Sequence, residues 1–247
     1  RDPEMSRGLG DVYKRQPDDV SALITLAHTC YMQEDYESMD RACQQAIKID
    51  EKNASAYYLA SKAAHGQGND LQAIVMVTKA IALDESFVAA YRFRAETLWG
   101  MKQAKEALED IEQVLSINPE DEDALLLKGT IFAAQGQTED ACLCFDKVME
   151  NNPFNEKAYI LKGELLAGQK EFDKAIELYT EALELMPENA ALYQERGRIR
   201  LLNGDKEGSI EDMKKVIELN PESEQQINGK FDNQGNIGGA DNPASIY

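Results

Sequence analysis

The chain has 247 residues, of which 43% are hydrophobic and 29% are charged, and its formal net charge is -19. This length and composition are sufficient for one large domain, which we expect to be elongated. Because the acidic charge is spread along the whole chain, no basic face is available to neutralise phosphates, and we exclude nucleic acid and anionic membranes as partners. No apolar run approaches the ~20 residues that a membrane-spanning helix needs.

The first 16 residues carry neither a helical pattern nor an apolar core typical of a signal peptide. Residues 7–16 resemble a translated linker and meet Pro17 without any transition. We therefore interpret residues 1–16 as a non-native leader and leave them out of the predicted fold. The cellular location cannot be read from this end of the chain.

Twelve helices are predicted from the spacing of apolar residues, and they form six consecutive pairs. The first helices of the pairs are predicted over 20–33, 54–67, 88–101, 122–135, 156–168 and 190–203. The second helices are predicted over 36–50, 70–84, 104–117, 138–151, 172–185 and 206–219. No strand is predicted.

Polar and glycine residues mark the boundaries between these helices. The segments 66–69, 135–137 and 203–205 contain Gly68, Gly136 and Gly204 and are predicted to be turns, because glycine tolerates a left-handed backbone. Asn53 begins an Asn-Ala-Ser sequence that matches a glycosylation acceptor, but it also stands where a helix starts. We predict that Asn53 caps that helix.

The helix pairs repeat every 34 residues. Four copies end at prolines with this spacing, namely Pro119, Pro153, Pro187 and Pro221. Proline lacks the amide that would continue a helix, so the chain must turn there and begin the next copy. A two-helix repeat of this length predicts a solenoid, which we assign to residues 17–223.

Equivalent positions in the copies form columns of similar residues. Small side chains occupy one column of the first helices, at Ala27, Ser61, Ala95, Gly129, Gly163 and Gly197. A mostly small column of the second helices contains Met39, Ala73, Ala107, Ala141, Ala175 and Ser209. Larger core side chains are predicted at Leu23, Tyr57, Tyr91, Leu125, Tyr159 and Tyr193, and opposite them at Cys43, Val77, Ile111, Phe145, Tyr179 and Met213. The small columns would let the paired helices approach closely.

These columns resemble the pattern of the tetratricopeptide repeats. The fourth copy reads Leu125-x-x-Lys128-Gly129-x-x-Phe132, Ala141-x-x-x-Phe145 and Pro153; the fifth reads Tyr159-x-x-Lys162-Gly163-x-x-Leu166, Ala175-x-x-x-Tyr179 and Pro187. The sequence departs from the family where Arg94, Lys128, Lys162 and Arg196 replace the usual leucine and where Arg200 replaces an aromatic residue. The resemblance implies an all-α, right-handed α-solenoid of six helix pairs. It also implies a concave groove that binds a peptide or a protein segment.

The four cations in place of leucine admit two interpretations. Their aliphatic stems can cover apolar surface between repeats while the charged ends reach water or nearby carboxylates. Alternatively, they can form a ladder for an acidic partner. The acidity of the whole chain favours the first interpretation unless the charged ends open into the groove.

The end of the chain lacks the repeat pattern. Residues 222–228 could add one short helix, and Ile227 and Phe231 could cover part of the exposed end of the stack. Overall, residues 224–247 are predicted to be a short cap and a flexible tail, because the segment is rich in glycine and asparagine.

No constellation of catalytic or metal-ligating residues is recognisable. Cys30, Cys43, Cys142 and Cys144 all fall within predicted helices, and we interpret Cys30 and Cys43 as buried thiols. The only histidines are His28 and His65, with no nucleophile and base beside them. We predict that the protein is not an enzyme and uses neither a metal nor a cofactor. Four reduced cysteines favour a cytoplasmic location.

The repeat phase predicts which side chains face the groove. The candidate binding residues are His28, Tyr31, Tyr58, Lys62, His65, Arg92, Glu96, Trp99, Asp123, Leu126, Lys157, Ile160 and Arg198. Tyr31, His65 and Trp99 form one column, and tyrosine and tryptophan often anchor interfaces. Trp99 could instead pack on the adjacent turn. A bound segment with apolar side chains and mixed charge would lie across the first four copies.

The sequence favours a protein-binding scaffold or adaptor with an unknown protein or peptide partner. Two alternatives remain, namely a structural module with weak self-association and the repeat arm of a longer protein. Some tetratricopeptide domains hold the C-terminal carboxylate of a chaperone with lysine, asparagine and arginine. The corresponding positions here include Ile24, His28, Leu59, Ala89 and Phe93, so no such clamp is predicted.

Overall fold

A computed structural model describes residues 19–221, and all of its regular structure is helical. The predicted leader 1–16 and the predicted cap and tail 224–247 lie outside the described residues. The twelve helices are α1 (Val20–Met32), α2 (Tyr36–Ile49), α3 (Ala54–Gly66), α4 (Asp70–Leu83), α5 (Val88–Gly100), α6 (Ala104–Ile117), α7 (Glu122–Ala134), α8 (Thr138–Asn151), α9 (Glu156–Gly168), α10 (Phe172–Leu185), α11 (Ala190–Leu202) and α12 (Lys206–Leu219). The last residue of every predicted helix lies within one residue of the observed helix end. The predicted all-α helical-repeat solenoid is confirmed.

Polar side chains define where most helices begin. The Asn53 side chain accepts a hydrogen bond of 2.9 Å from the Ala56 amide, which satisfies one of the unpaired amides at the start of α3. The predicted cap at Asn53 is therefore confirmed. Asn155 and Asn189 cap α9 and α11 in the same way. At the start of α5 the equivalent residue is Phe87, which makes no such hydrogen bond.

The turn inside each helix pair has one residue with a left-handed backbone. Glycine fills this position at Gly68, Gly136 and Gly204, with φ angles of 77°, 75° and 89°, as predicted. The other three repeats place Glu34, Lys102 and Lys170 there, with φ angles of 57°, 63° and 64°. A side chain with a Cβ is strained in this conformation. The turn geometry is thus the same in all six repeats although only three of them have glycine.

The chain divides into two compact units, with α1–α7 in the first and α8–α12 in the second. In the first unit each helix packs against the next, and α1 also contacts α3, as α5 contacts α7. The two small columns are buried there, including Ala27, Ser61 and Ala95. These small side chains allow the close helix approach that was predicted from their spacing.

The second unit is built on the same plan. Gly163 of α9 faces the ring of Tyr179 on α10, and a Cβ at residue 163 would overlap that ring. Tyr179 is completely buried, and its hydroxyl donates a hydrogen bond of 3.3 Å to the Ile160 carbonyl. Met213, predicted as a core residue, is only half-buried on the last helix, α12.

The four cations that replace the usual leucine form ion pairs with carboxylates on the second helices. Arg94 and Arg196 reach forward 16 residues to Asp110 and Asp212. Lys128 and Lys162 reach back 16 residues, with nitrogen–oxygen distances of 2.5 Å to Glu112 and 2.5 Å to Asp146.

The two arginines also donate hydrogen bonds to threonines of the preceding repeat, namely Thr78 for Arg94 and Thr180 for Arg196. These contacts support the first interpretation of the cations, in which the charged ends reach nearby carboxylates. They connect second helices of consecutive repeats within each unit.

Candidate functional site

The first unit contains a cavity of about 260 Å³ between α1, the start of α2, α3 and α5. Its lining residues are Tyr31, Tyr36, Tyr58, Lys62, His65, Gly66, Ala89, Arg92, Phe93 and Glu96. Five of these side chains are aromatic rings and three are formally charged. A cavity of this composition can recognise a side chain by apolar contact and by charge, without covalent chemistry.

Aromatic rings occupy the space between α3 and α5. The Tyr58 ring lies edge-on to Phe93 with the ring centroids 6.0 Å apart, and it also packs against Phe87 at 5.0 Å. His65 also meets Phe93, with the ring centroids 5.6 Å apart and the rings again nearly perpendicular. Because these rings contact one another, they support this wall of the cavity.

Lys62 places its charge over an aromatic face. Its Nζ atom lies 3.9 Å from the centroid of the Tyr31 ring and 5.8 Å from that of Tyr58, which is the geometry of a cation–π interaction. Burial raises the pKa of the Tyr58 hydroxyl, while the nearby charges of Lys62 and Arg92 act in the opposite direction. The Tyr58 hydroxyl is therefore neutral around pH 7.

Arg92 and His65, which also line the cavity, contact carboxylates. Arg92 donates from Nη1 to Asp123 at 2.8 Å and to Asp121 at 3.2 Å. His65 Nδ1 lies 2.7 Å from Asp70 Oδ1, which is hydrogen-bond distance. Arg92 is thus oriented toward the start of α7.

The cavity brings together six of the predicted binding residues. They are Tyr31, Tyr58, Lys62, His65, Arg92 and Glu96. The sequence prediction considered only first helices and therefore missed Tyr36, which begins α2 and meets the Tyr31 ring at 6.5 Å. It also missed the role of Gly66, where a Cβ would overlap the Tyr36 ring. From the sequence alone, a glycine at this position indicates only a turn.

The remaining predicted residues of the first unit lie elsewhere. His28 is exposed on α1 outside the cavity lining, and Asp123 pairs with Arg92. Trp99 is half-buried against the core of α5, α6 and α7, and Lys102 lies over its ring at 6.0 Å. The prediction that Leu126 faces a partner is corrected by the structure, because this side chain is only 4% exposed and has almost no surface to offer a partner. The role of Trp99 in binding stays a prediction, and its contact with Lys102 in the turn after α5 is compatible with the alternative that it packs on that turn.

Three predicted residues belong to the second unit. Lys157 is exposed on α9, and Ile160 packs against the core of that unit. Arg198 donates a hydrogen bond of 2.8 Å to Glu195 on its own helix. Their arrangement as a binding surface stays a prediction.

No cluster of three or more metal-ligating side chains occurs between residues 19 and 221. In the same range no helix combines the length and the apolar character that crossing a membrane requires. Burial raises the pKa of the Cys43 thiol to about 12. The Cys43 thiol is thus protonated at neutral pH and buried, as predicted.

Comparison with known proteins agrees with this architecture. Sequence models of the tetratricopeptide repeat match residues 98–165, 156–189 and 190–223. Twelve helices paired in this way define a helical-repeat scaffold for protein–protein interaction. The chain belongs to the tetratricopeptide repeat family. No curated protein matches the chain significantly.

Solved structures share the fold at low sequence identity. A tetratricopeptide repeat protein from Parabacteroides merdae is 20% identical with a TM-score of 0.67, and the match covers 80% of this chain and 78% of that one. PilW, a type IV pilus biogenesis factor, is 17% identical with a TM-score of 0.70 over 84% of this chain and 97% of its own. YrrB, described as having an unusual peptide-binding site, is 22% identical with a TM-score of 0.53 over 77% and 98%. At these identities the similarity concerns the fold.

Proposed function

We propose that the protein is a non-catalytic adaptor that binds a segment of another protein in the aromatic cavity of its first unit. The observation that carries this proposal is the convergence of six predicted groove residues on one cavity of about 260 Å³. Proteins of this family generally act as interaction scaffolds. The peptide-binding site named for YrrB is consistent with such a role.

The size of the cavity favours a side chain over a small molecule. Sites for small-molecule ligands usually enclose about 300 to 1,000 Å³. The cavity observed here is smaller and suits one or two side chains of a bound segment. Tyrosine rings such as Tyr31 and Tyr58 give large contact areas at a low entropy cost, which is why they are common in binding sites.

The test is a selection of binding peptides that requires no knowledge of the natural partner. A display library of random dodecapeptides is selected on the immobilised protein, and the affinity of the enriched peptides is measured by fluorescence polarisation. Ala89 lines the cavity and is half-exposed, so Ala89→Phe should fill the space without removing a core side chain. We expect Ala89→Phe to weaken binding at least tenfold.

A matched control makes the same chemical change away from the cavity. Ala82 is exposed on α4 and does not line the cavity, so Ala82→Phe should bind peptides as the parent does. Circular dichroism confirms that both variants are folded. Equal affinity of Ala89→Phe and the parent would refute the proposed site.

Self-association is the second candidate function, and one surface favours it. Leu71 and Val75 lie one turn apart on α4, outside the cavity, and are 71% and 61% exposed. A second copy of the chain could bury this pair. Sedimentation equilibrium over the micromolar range separates the two functions, because Leu71→Ser should dissociate a dimer that depends on this surface.

A further inference from the structure

Around the cavity, acidic side chains outnumber basic ones. Lys62 and Glu96 both line the cavity and carry opposite charges, so together they leave the balance of charge unchanged. Arg92 Nη1 lies 3.2 Å from an oxygen of Asp121 and 2.8 Å from an oxygen of Asp123. One guanidinium group therefore faces two carboxylates, and one negative charge remains in excess beside the cavity.

The excess negative charge is accessible at Asp123. Asp121 is 8% exposed and accepts a hydrogen bond from the Ala124 amide, whereas the Asp123 side chain is 61% exposed. Arg92 contacts Oδ2 of Asp123, and between residues 19 and 221 no other cation lies within ion-pair distance of this carboxylate. Because an ionised carboxylate accepts hydrogen bonds at both oxygens, an external basic group can pair with Asp123 while Arg92 stays in place.

The charge of the surrounding chain has the same sign. The protein carries 45 acidic and 26 basic side chains, and acidic side chains outnumber basic ones in the first unit as well. His65 and Asp70, which are in contact, add no net positive charge in either protonation state of the histidine. A field of this sign attracts basic segments, repels acidic ones and raises the association rate of a basic partner.

An apolar wall adjoins these charges. Tyr58 and Phe93 meet edge-on with their ring centroids 6.0 Å apart, and the small side chain of Ala89 leaves room beside them. Arg92 lines the same cavity and contacts Asp123, so the carboxylate lies next to the space that an apolar side chain can fill. Alternate residues of an extended segment point to the same side, so one segment can place an apolar side chain in the cavity and a basic one on Asp123.

We propose that the cavity recognises a partner segment in which one large apolar or aromatic side chain has a lysine or arginine close to it in the sequence. The apolar side chain packs against Tyr58 and Phe93, and the basic side chain pairs with Asp123. The net charge of -19 favours further basic residues along the segment. This inference rests on the proposed function and adds the chemistry of the partner.

The experiment repeats the dodecapeptide selection on the parent and on Asp123→Lys. From the parent we expect peptides with a lysine or arginine within a few residues of a large apolar one, and from Asp123→Lys we expect peptides without this basic residue. The affinity of a parent-selected peptide should fall about tenfold or more in Asp123→Lys. It should fall less, about threefold, in Asp123→Asn, because the amide oxygen still accepts a hydrogen bond.

The salt dependence of binding gives a second measurement. Salt screens charge pairs near the surface, so raising the ionic strength from ~0.1 to ~1 M should weaken the binding of a selected peptide to the parent. The same increase should weaken binding to Asp123→Asn by a smaller factor, because that variant lacks the charge at residue 123. A purely structural role of Asp123 would leave the salt dependence unchanged.

Glu106→Lys is the matched control. Glu106 is exposed on α6 in the same unit and does not line the cavity, so this change alters the net charge equally but not the site. We expect Glu106→Lys to keep the basic preference of the parent. Thermal melting followed by circular dichroism verifies that Asp123→Lys is folded. Asp123→Asn, which can still accept a hydrogen bond from Arg92, gives the same test without charge reversal.

The outcomes separate the inference from the function on which it rests. Parent-selected peptides that lack a basic residue, or that carry an acidic one in its place, overturn the inference while the adaptor function stands, provided that Ala89→Phe weakens them. A basic preference that survives in Asp123→Lys also overturns the inference. If no peptide is enriched, or if Ala89→Phe has no effect on those that are, the proposed function itself fails.

Discussion

Arg94 holds Asp110 with two hydrogen bonds, of 2.7 Å from Nε and 2.6 Å from Nη2, and thereby links α5 to α6. Asp110 is only 4% exposed, so few of its hydrogen bonds can be made to water instead of to this partner. The hydrogen bonds to Asp110 are the main reason that the pKa of Arg94 is raised. Arg196 and Asp212 repeat the arrangement in the second unit, with distances of 3.1 and 2.6 Å.

Replacing Arg94 by lysine should destabilise the first unit. Lysine cannot make the paired hydrogen bonds of a guanidinium, which leaves a buried carboxylate incompletely satisfied. We expect Arg94→Lys to lower the free energy of unfolding by about 1 to 3 kcal/mol in urea titrations. The control is Lys128→Arg, where the partner Glu112 is 59% exposed and the change should be small. An equal decrease in the free energy of unfolding for the two variants would contradict this prediction.

Gly163→Ala should destabilise the second unit although alanine normally favours helices. The added Cβ would overlap the buried Tyr179 ring, and relieving such an overlap costs about 1 to 3 kcal/mol. Gly168 on the same helix has no atoms near the site of a Cβ. Thermal melting should therefore show a lower midpoint for Gly163→Ala and no loss for Gly168→Ala.

Lys170→Gly should stabilise the protein. Lys170 has a φ angle of 64°, in the left-handed region that costs about 1 to 2 kcal/mol for residues other than glycine. Glycine loses more conformational entropy on folding, which offsets part of this strain. We therefore expect the free energy of unfolding to rise by roughly 0.5 to 1 kcal/mol in urea titrations. Gly204→Ala, at φ 89°, should shift stability in the opposite direction. A loss of stability in Lys170→Gly would show that the side chain matters more than the backbone.

Gln103→Asn should add a cap to α6. Gln103 stands at the start of this helix without a side-chain hydrogen bond, whereas Asn69 at the equivalent position of α4 accepts one from the Gln72 amide at 3.2 Å. Restoring a cap is worth about 0.5 to 2 kcal/mol, so the melting temperature should rise. Asn69→Gln is the reverse change and should lower it. No response to either variant would refute the assignment of these caps.

Cys43 should make stability depend on pH in the alkaline range. Burial raises its pKa from 9.0 to about 12, so above pH 9 the thiol ionises in the unfolded chain while it stays protonated in the folded one. The unfolded state then binds fewer protons, and stability falls as the pH rises from about 9 toward 12. Urea titrations at neutral and alkaline pH should show a smaller loss for Cys43→Ala than for the parent. An identical loss in both would assign the effect to other groups.

The sequence predicts the helices and the buried columns well because both follow from strict periodicity. Ala27, Ser61 and Gly163 lie where the repeat spacing puts them. The site is predicted less completely, since spacing gives the face of a helix but not the direction of each side chain. Leu126 and Trp99 share columns with cavity residues and yet pack into or onto the core.

Contacts between helices explain the residues that the sequence missed. Tyr36 reaches the cavity from a second helix because Gly66 leaves room for its ring. The contact of Arg92 with Asp121 joins residues 29 apart, in two different repeats. Such pairings depend on how neighbouring helices are oriented, which the periodicity of one chain does not specify.

Gly163 and Tyr179 lie on the two helices of one pair, and their volumes match. Recombination can therefore exchange whole helix pairs but not single helices. Gly197 and Met213 fit in the same way, because a Cβ at residue 197 would overlap the methionine methyl group. If α9 were paired with a second helix that has a small side chain in place of Tyr179, a void would remain beside Gly163. If α10 were paired with a first helix that has alanine in place of Gly163, the alanine would clash with Tyr179. Duplication of whole 34-residue segments preserves these matched volumes, whereas transfer of a single helix disrupts them.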